Sequence, residues 1–251
     1  MEFNKQNIQT KIRTSTTHEI DEGLRAYMLK VYNYMTTGLI LTGLIAWFFG
    51  KASIIANDYG QLVGLTSLGE TLFYSPLKWL IMLAPLGFVF YLSARMHKMS
   101  LSKAQITFWI YSAIMGLSLS WIFIVFTNIS IVRVFFISAA TFGAMSLYGY
   151  TTKRDLTKLG GFLFMGLIGI IIASLVNMFI GSTALQFAIS IIGVLVFVGL
   201  TAYDTQKIKN MYYAGDSSDI EGKKALMGAL RLYLDFINLF ILLLQLFGQR
   251  R

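Results

Sequence analysis

Two aspartates, Asp204 and Asp235, each stand within a long apolar stretch, where an ionisable side chain is costly enough that it normally faces a partner, a cavity or a pathway. Their neighbours at helical spacing are polar too. Arg231, Asp235, Asn238 and Gln245 follow one another by 4, 3 and 7 residues, which at about 100° per residue keeps them within an arc of roughly 80°. Ser190, Gly193, Thr201 and Asp204 keep to a similarly narrow face of the preceding stretch. Two carboxylates brought together on adjacent helices repel strongly when both are ionised, so they would hold one proton between them as a pair. With that proton in place they hydrogen-bond and join the helices. With both ionised they repel or recruit a cation, and carboxylate oxygens are hard ligands suited to calcium. The expectation is a proton sensor and ion gate at Asp204 and Asp235, which would also be transient calcium ligands, with Asn238, Gln245, Thr201 and Ser190 lining a polar path. Arg231 is a candidate counter-charge, because four residues before Asp235 it could neutralise that carboxylate within one helix. The same small and polar stripes also suit plain helix packing, in which small residues allow close approach and polar side chains hydrogen-bond across the contact.

The elements that must position these residues follow from composition. Of 251 residues, 56% are hydrophobic and 13% charged, against roughly 25% charged in an ordinary soluble domain, so a soluble globule is excluded. Long runs free of charge predict helices of about 20 residues, enough to cross ~30 Å of hydrocarbon. Seven spans result, near residues 31–50, 77–96, 104–126, 132–151, 159–179, 184–206 and 225–247. The longest charge-free run holds two of them, separated at 177–183 by the polar, glycine-containing sequence NMFIGST. A β-barrel is discarded because apolar alternation at period two is missing. The chain is therefore expected to be an all-α membrane protein, with a cytoplasmic N-terminal segment at 1–30 and a single seven-helix membrane domain at 31–251. Ile20, Leu24, Met28 and Val31 recur near helical spacing, which predicts a short helix leading into the first span. Residues 1–30 carry no signal-peptide core, so the first span is expected to act as an uncleaved insertion signal.

Net charge is +9, and its distribution matters more than its sum. Of the 21 lysines and arginines, fifteen fall in the N-terminal segment and the second, fourth and sixth loops, five on the opposite side, and Arg231 inside the last span. That asymmetry predicts a cytoplasmic N-terminus and a C-terminus outside. Trp47, Trp79 and Trp121 then fall at the outer interface, as an aromatic belt would. Ser112, Gly116 and Ser120, and likewise Ala139 and Gly143, show the spacing of closely packed helices.

Other chemistry finds little support. With no cysteine there is no disulfide, thiolate nucleophile or cysteine-based metal site. His18 and His97 have no second ligand at useful spacing, and no phosphate-binding loop, HExxH or GxSxG occurs. No enzymatic activity, resident cofactor or nucleic-acid partner is expected; the expected partners are the bilayer and calcium, and no protein partner is implied.

Several blocks resemble a known family. LTAYDTQKIK at 200–209 and LYLDFINLF at 232–240 are similar to the signature of the Bax inhibitor-1 family, the transmembrane Bax inhibitor motif proteins. SLYGYTTKRDL at 146–156 and GLIGIIIASLVNMF at 166–179 resemble the bacterial branch, inserted in the cell inner membrane. The likeness covers about residues 25–251. It implies a seven-transmembrane helix bundle with the last helix central, a calcium leak regulated by pH, and a paired-aspartate sensor split between the sixth and seventh helices, at Asp204 and Asp235. It also implies a cationic partner on the second helix, for which Arg95 stands nearest, although the surrounding LSARMHKMS departs from the family pattern. The segment NMYYAGDSSDIEGKK between the two aspartates is longer than in better-known relatives.

Two other classes compete. A noncatalytic membrane regulator or assembly factor would use the same polar faces to bind protein partners. An intramembrane aspartyl protease also places one aspartate after a tyrosine, as in Tyr203 and Asp204, but it needs Gly-x-Gly before the second, where this chain reads LYLD. A light-driven or receptor-type heptahelical protein is disfavoured further, since the last span carries no lysine for a retinal Schiff base.

Overall fold

The structure is a computed structural model that describes residues 2–57 and 62–251, with side chains for 22–57, 62–96 and 98–251. The expectations for His18 and His97 concern side chains outside the described residues, as does Ile20. Among the described residues, seven helices are long and apolar enough to cross a membrane. In chain order the elements are α1 (Glu2–Ala52), β1 (Ile54–Ala56), β2 (Leu62–Leu65), α2 (Ser67–Phe73), α3 (Leu77–Arg95), α4 (Leu101–Leu119), α5 (Ile122–Val125), α6 (Asn128–Thr151), α7 (Thr157–Ile180), α8 (Thr183–Asn210) and α9 (Ser218–Phe247). Helices dominate because a backbone in hydrocarbon must satisfy its own N–H and C=O groups.

The N-terminal helix leads directly into the first span as one uninterrupted α1, as its helical spacing predicts, with Tyr27, Met28 and Val31 buried on the packed face. Three details depart from the sequence expectation. The loop after α1 holds a small antiparallel pair, β1 against β2, and the short α2, whose first turn is capped by the Thr66 hydroxyl. The third span is broken at Ser120–Trp121 into α4 and α5. The last helix starts at Ser218, seven residues before the predicted 225, because Ser217 caps it by accepting from the Ile220 N–H. The 177–183 break occurs as predicted. Gly181 closes α7 in the left-handed conformation at φ 67°, donating its N–H to the Asn177 carbonyl at 2.7 Å, and Ser182 caps α8.

The most apolar stretch of α9 is 72% buried, whereas the other spans range from 11% to 39%. It packs against α8, α1, α6 and α4, while α7 leans on α8 and α3 on α4. Between lipid-solvated helices contact comes from close fit rather than from water exclusion. At Gly116 a Cβ would lie 2.6 Å from the Thr42 carbonyl oxygen, and Ser112 and Ser120 are buried beside it. Gly143 differs: nothing lies within 4 Å of its missing Cβ, so the predicted close contact is not made there, whereas Ala139 packs against the core.

The two ends of the bundle are chemically distinct. At the hairpin end the C-terminus folds onto the α5–α6 turn, with the Thr127 N–H donating to Gln249 O at 2.9 Å and the Arg251 N–H to Val125 O at 3.0 Å. At the other, basic end, Lys30 pairs with Glu221 at 2.8 Å and Lys224 with Asp216 at 2.5 Å. There the Gln206 side chain ties α8 to the loop before α7, donating to Arg154 O at 2.7 Å and accepting from the Leu156 N–H at 2.9 Å.

Candidate functional site

Asp204 belongs to α8 and Asp235 to α9, the most extensively packed pair of helices. Both side chains are buried, and the two carboxyl groups lie in hydrogen-bonding contact. Oδ2 of Asp235 is fully enclosed, and among the described residues no N–H or O–H group donates to it. Arg231 does not turn to Asp235 on its own helix. Its Nη1 reaches across to Oδ1 of Asp204 at 3.5 Å, a longer contact than the 2.7–2.9 Å of a strong charged hydrogen bond. The Arg231 side chain is 39% exposed, so the cation beside the carboxylate pair is not sealed inside the bundle.

The pair lines a cavity of about 1080 Å³ bounded by α7, α8 and α9, with Leu86 of α3 opposite. Its polar wall comes from α8 and α9: Tyr203, Asp204 and Lys207 from one, Arg231, Asp235 and Asn238 from the other. Helix α7 contributes apolar side chains and Ser174, and α3 brings no charge to it. Lys207 leans over the Tyr203 ring, Nζ 5.5 Å from its centre. The charged groups facing the acids are thus Arg231 and Lys207, both toward the basic end. Toward the hairpin end the lining turns apolar at Ile241, Leu242 and Met178.

A family model described as inhibitor of apoptosis-promoting Bax1 matches residues 24–251. The chain belongs to the Bax inhibitor family. An uncharacterized protein of Rickettsia prowazekii is 49% identical to it, over 97% of this chain and 98% of the relative. The inner membrane protein YbhL of Escherichia coli is also 49% identical, over 91% of this chain and 94% of the relative. An uncharacterized membrane protein of Streptococcus pyogenes is 36% identical over 91% and 95%. With seven helices long and apolar enough to span a bilayer, this is a membrane protein of the Bax inhibitor family.

The remaining residues singled out in the sequence divide into three groups. Asn238 lines the cavity with the acids, its Nδ2 donating to Leu234 O at 2.8 Å. Ser190 and Gln245 do meet, but elsewhere, nearer the hairpin end: Ser190 Oγ and Gln186 Nε2 both donate to Gln245 Oε1, at 3.1 and 2.8 Å. Asn177 extends this network, donating to Gln186 Oε1 at 3.2 Å and accepting from the Ser182 N–H at 3.0 Å. Thr201 is outside the cavity lining and gives its hydroxyl to Phe197 O at 2.8 Å. Arg95 is exposed at the end of α3, outside the cavity lining and without an ion pair among the described residues, so the cation on the acids is Arg231. Sequence reasoning missed Gln186, although it precedes Ser190 by four residues on the same face, and used Asn177 only as the marker of a break. It also missed two hydroxyl clusters, Tyr32 with Ser146 and Thr205, and Thr42 with Tyr233. Neutral hydroxyls scattered over several spans carry no spacing signal.

Proposed function

We propose that this Bax inhibitor family protein is a calcium-permeable leak pathway of the bacterial inner membrane, opened and closed by one proton shared between Asp204 and Asp235. The observation that carries this reading is the enclosed carboxylate pair with an undonated oxygen on Asp235. A proton held between the two groups supplies the missing donor and fastens α8 to α9. Once it leaves, two negative charges in contact within a poorly screened interior either separate or take up a cation. Two carboxylates and the Asn238 amide offer fewer oxygens than the six to eight of a resident calcium site, which suits an ion in passage. In this reading the protonated pair goes with a closed pathway, and the apolar side chains that follow Asn238 in the cavity lining support it. The excess of lysine and arginine at the basic end orients the N-terminus to the cytoplasm and the C-terminus outside.

The test is calcium flux through liposomes containing the pure protein, scanned from about pH 5 to about pH 9 around the range in which such pairs titrate. A sigmoidal rise with pH is expected, and either Asp204→Asn or Asp235→Asn flattens it. An unchanged curve in both variants removes the sensor. Absence of flux from the pure protein, with a stoichiometric partner recovered in pulldown, moves the reading to a noncatalytic regulator. Binding of an aspartyl-protease transition-state analogue moves it to the protease.

A further inference from the structure

Helices α1 and α6 both pack on α9 and α8 but leave a seam between themselves. Its floor is secured by hydrogen bonds and rings: Tyr32 Oη to Ser146 Oγ at 2.6 Å, Ser146 Oγ to Thr205 Oγ1 at 2.9 Å, and Phe142 against Phe236 with centroids 5.6 Å apart. Toward the basic end the seam widens into a groove of about 480 Å³, walled by Met28, Leu29, Met35, Phe142 and Leu147. That volume is within the range of small-ligand sites, ~300–1,000 Å³. Gly143 lies in the wall with nothing within 4 Å of where a Cβ would be. Helix packing does not account for it, and a glycine inside a helix is less favourable than alanine. What it leaves is room.

The mouth of the groove is basic. Arg25 lines it, is exposed, and makes no ion pair among the described residues. Tyr150, also in the lining, holds Lys209, whose Nζ lies 5.2 Å from the ring centre and donates to Tyr150 O at 2.8 Å. An apolar slot on the outer side of these helices, with an exposed guanidinium and an ammonium at its basic mouth, has the chemistry of a site for a chain-bearing phosphate. We propose that the α1–α6 groove binds one anionic phospholipid, an acyl chain running over Gly143 between Met35 and Leu147 and the phosphate between Arg25 and Lys209. A guanidinium fork matches phosphate oxygens in a bidentate manner. A zwitterionic lipid offers the same chains, but its own ammonium offsets the attraction. This site is separate from the acid cavity and does not depend on ion conduction.

Delipidated full-length protein, titrated in detergent with phosphatidylglycerol, phosphatidylethanolamine or oleate and read by native mass spectrometry, tests the proposal. One phosphatidylglycerol is expected to be retained about tenfold more tightly than phosphatidylethanolamine. Arg25→Gln combined with Lys209→Gln brings the two lipids to the same affinity. Gly143→Leu fills the slot and weakens phosphatidylglycerol binding at least about fivefold. Gly169→Leu on α7, where the missing Cβ also meets nothing within 4 Å, leaves binding unchanged and controls for adding a leucine to a helix. The proposal is overturned if the wild type retains both lipids alike, if the two leucine variants behave the same, or if equimolar oleate displaces phosphatidylglycerol.

Discussion

Helices α8 and α9 carry two polar clusters that meet the same lipid-facing constraint in opposite ways. Near the hairpin end, Asn177, Gln186, Ser190 and Gln245 are all hydrogen-bonded, across three helices, at 2.8–3.2 Å. Toward the basic end, Asp204 and Asp235 touch each other and border a cavity of about 1080 Å³, with one cation at 3.5 Å and one enclosed oxygen without a donor. Neutral amides carry donors and acceptors together and can close a network among themselves. Ionised carboxylates only accept, so two of them need a proton or a cation from outside the pair. Holding the helices together belongs to the amide cluster. Responding to the medium is the role proposed for the acid cluster.

The largest effect expected from this contrast comes from changing both acids at once. The Asp204→Asn, Asp235→Asn double variant replaces the pair with amides that pair without an external proton. The ratio of calcium flux between about pH 8 and about pH 6 should fall from tenfold or more to about one, as measured in liposomes. Arg231→Gln comes next. It removes the cation that favours the ionised pair, so flux near pH 7 should fall about threefold, while the maximum at high pH persists and Arg231→Lys restores most of it. Smaller again is Gln245→Leu, which strands the Gln186 amide and the Ser190 hydroxyl. A loss of about 1 kcal/mol is expected, in the range measured for hydrogen bonds between membrane helices, and is read by reversible denaturation in detergent. The pH response of flux should survive, and a flattened response in Gln245→Leu would merge the two clusters into one device.

Much of this division was visible before any coordinates. A bilayer sets both the length of a span and its helical form, so charge-free runs were enough to outline seven helices, and Gly181 sits in the predicted break. Asp204 and Asp235 stood out because charge is rare in such runs. Spacing could not choose between partners. Arg231 sits one turn from Asp235, yet a long flexible side chain can equally reach a neighbouring helix, and it does. A narrow arc also groups residues that face different neighbours over a long helix: Asn238 and Gln245 share one stripe in sequence, as Thr201 and Ser190 share another, yet within each stripe the two fall into different environments in space. Gly116 and Gly143 show the same limit for small residues, one pressed on a carbonyl and the other facing an open groove. The β1–β2 pair and α2 were missed because strands of three and four residues and a helix of seven are too short for span length or apolar period to register.

The smallest effect belongs to a carboxylate outside the spans. Asp155, in the loop before α7, accepts from the Thr157 N–H at 2.9 Å and from the Thr157 hydroxyl at 2.6 Å. These bonds favour the charged form and hold its carboxyl below the ordinary aspartate value of 3.8. A group whose folded value is depressed stabilises the fold fully above its unfolded value, and that contribution is lost as pH falls through the folded one. Asp155→Ala should therefore lower the melting temperature slightly near neutral pH, and the difference from the wild type should shrink as the solution is taken below the ordinary aspartate value. The flux curve should not move, because Asp155 is solvated and already has its donors. A shift of that curve in Asp155→Ala would place proton sensing in the loop at the basic end instead of between α8 and α9.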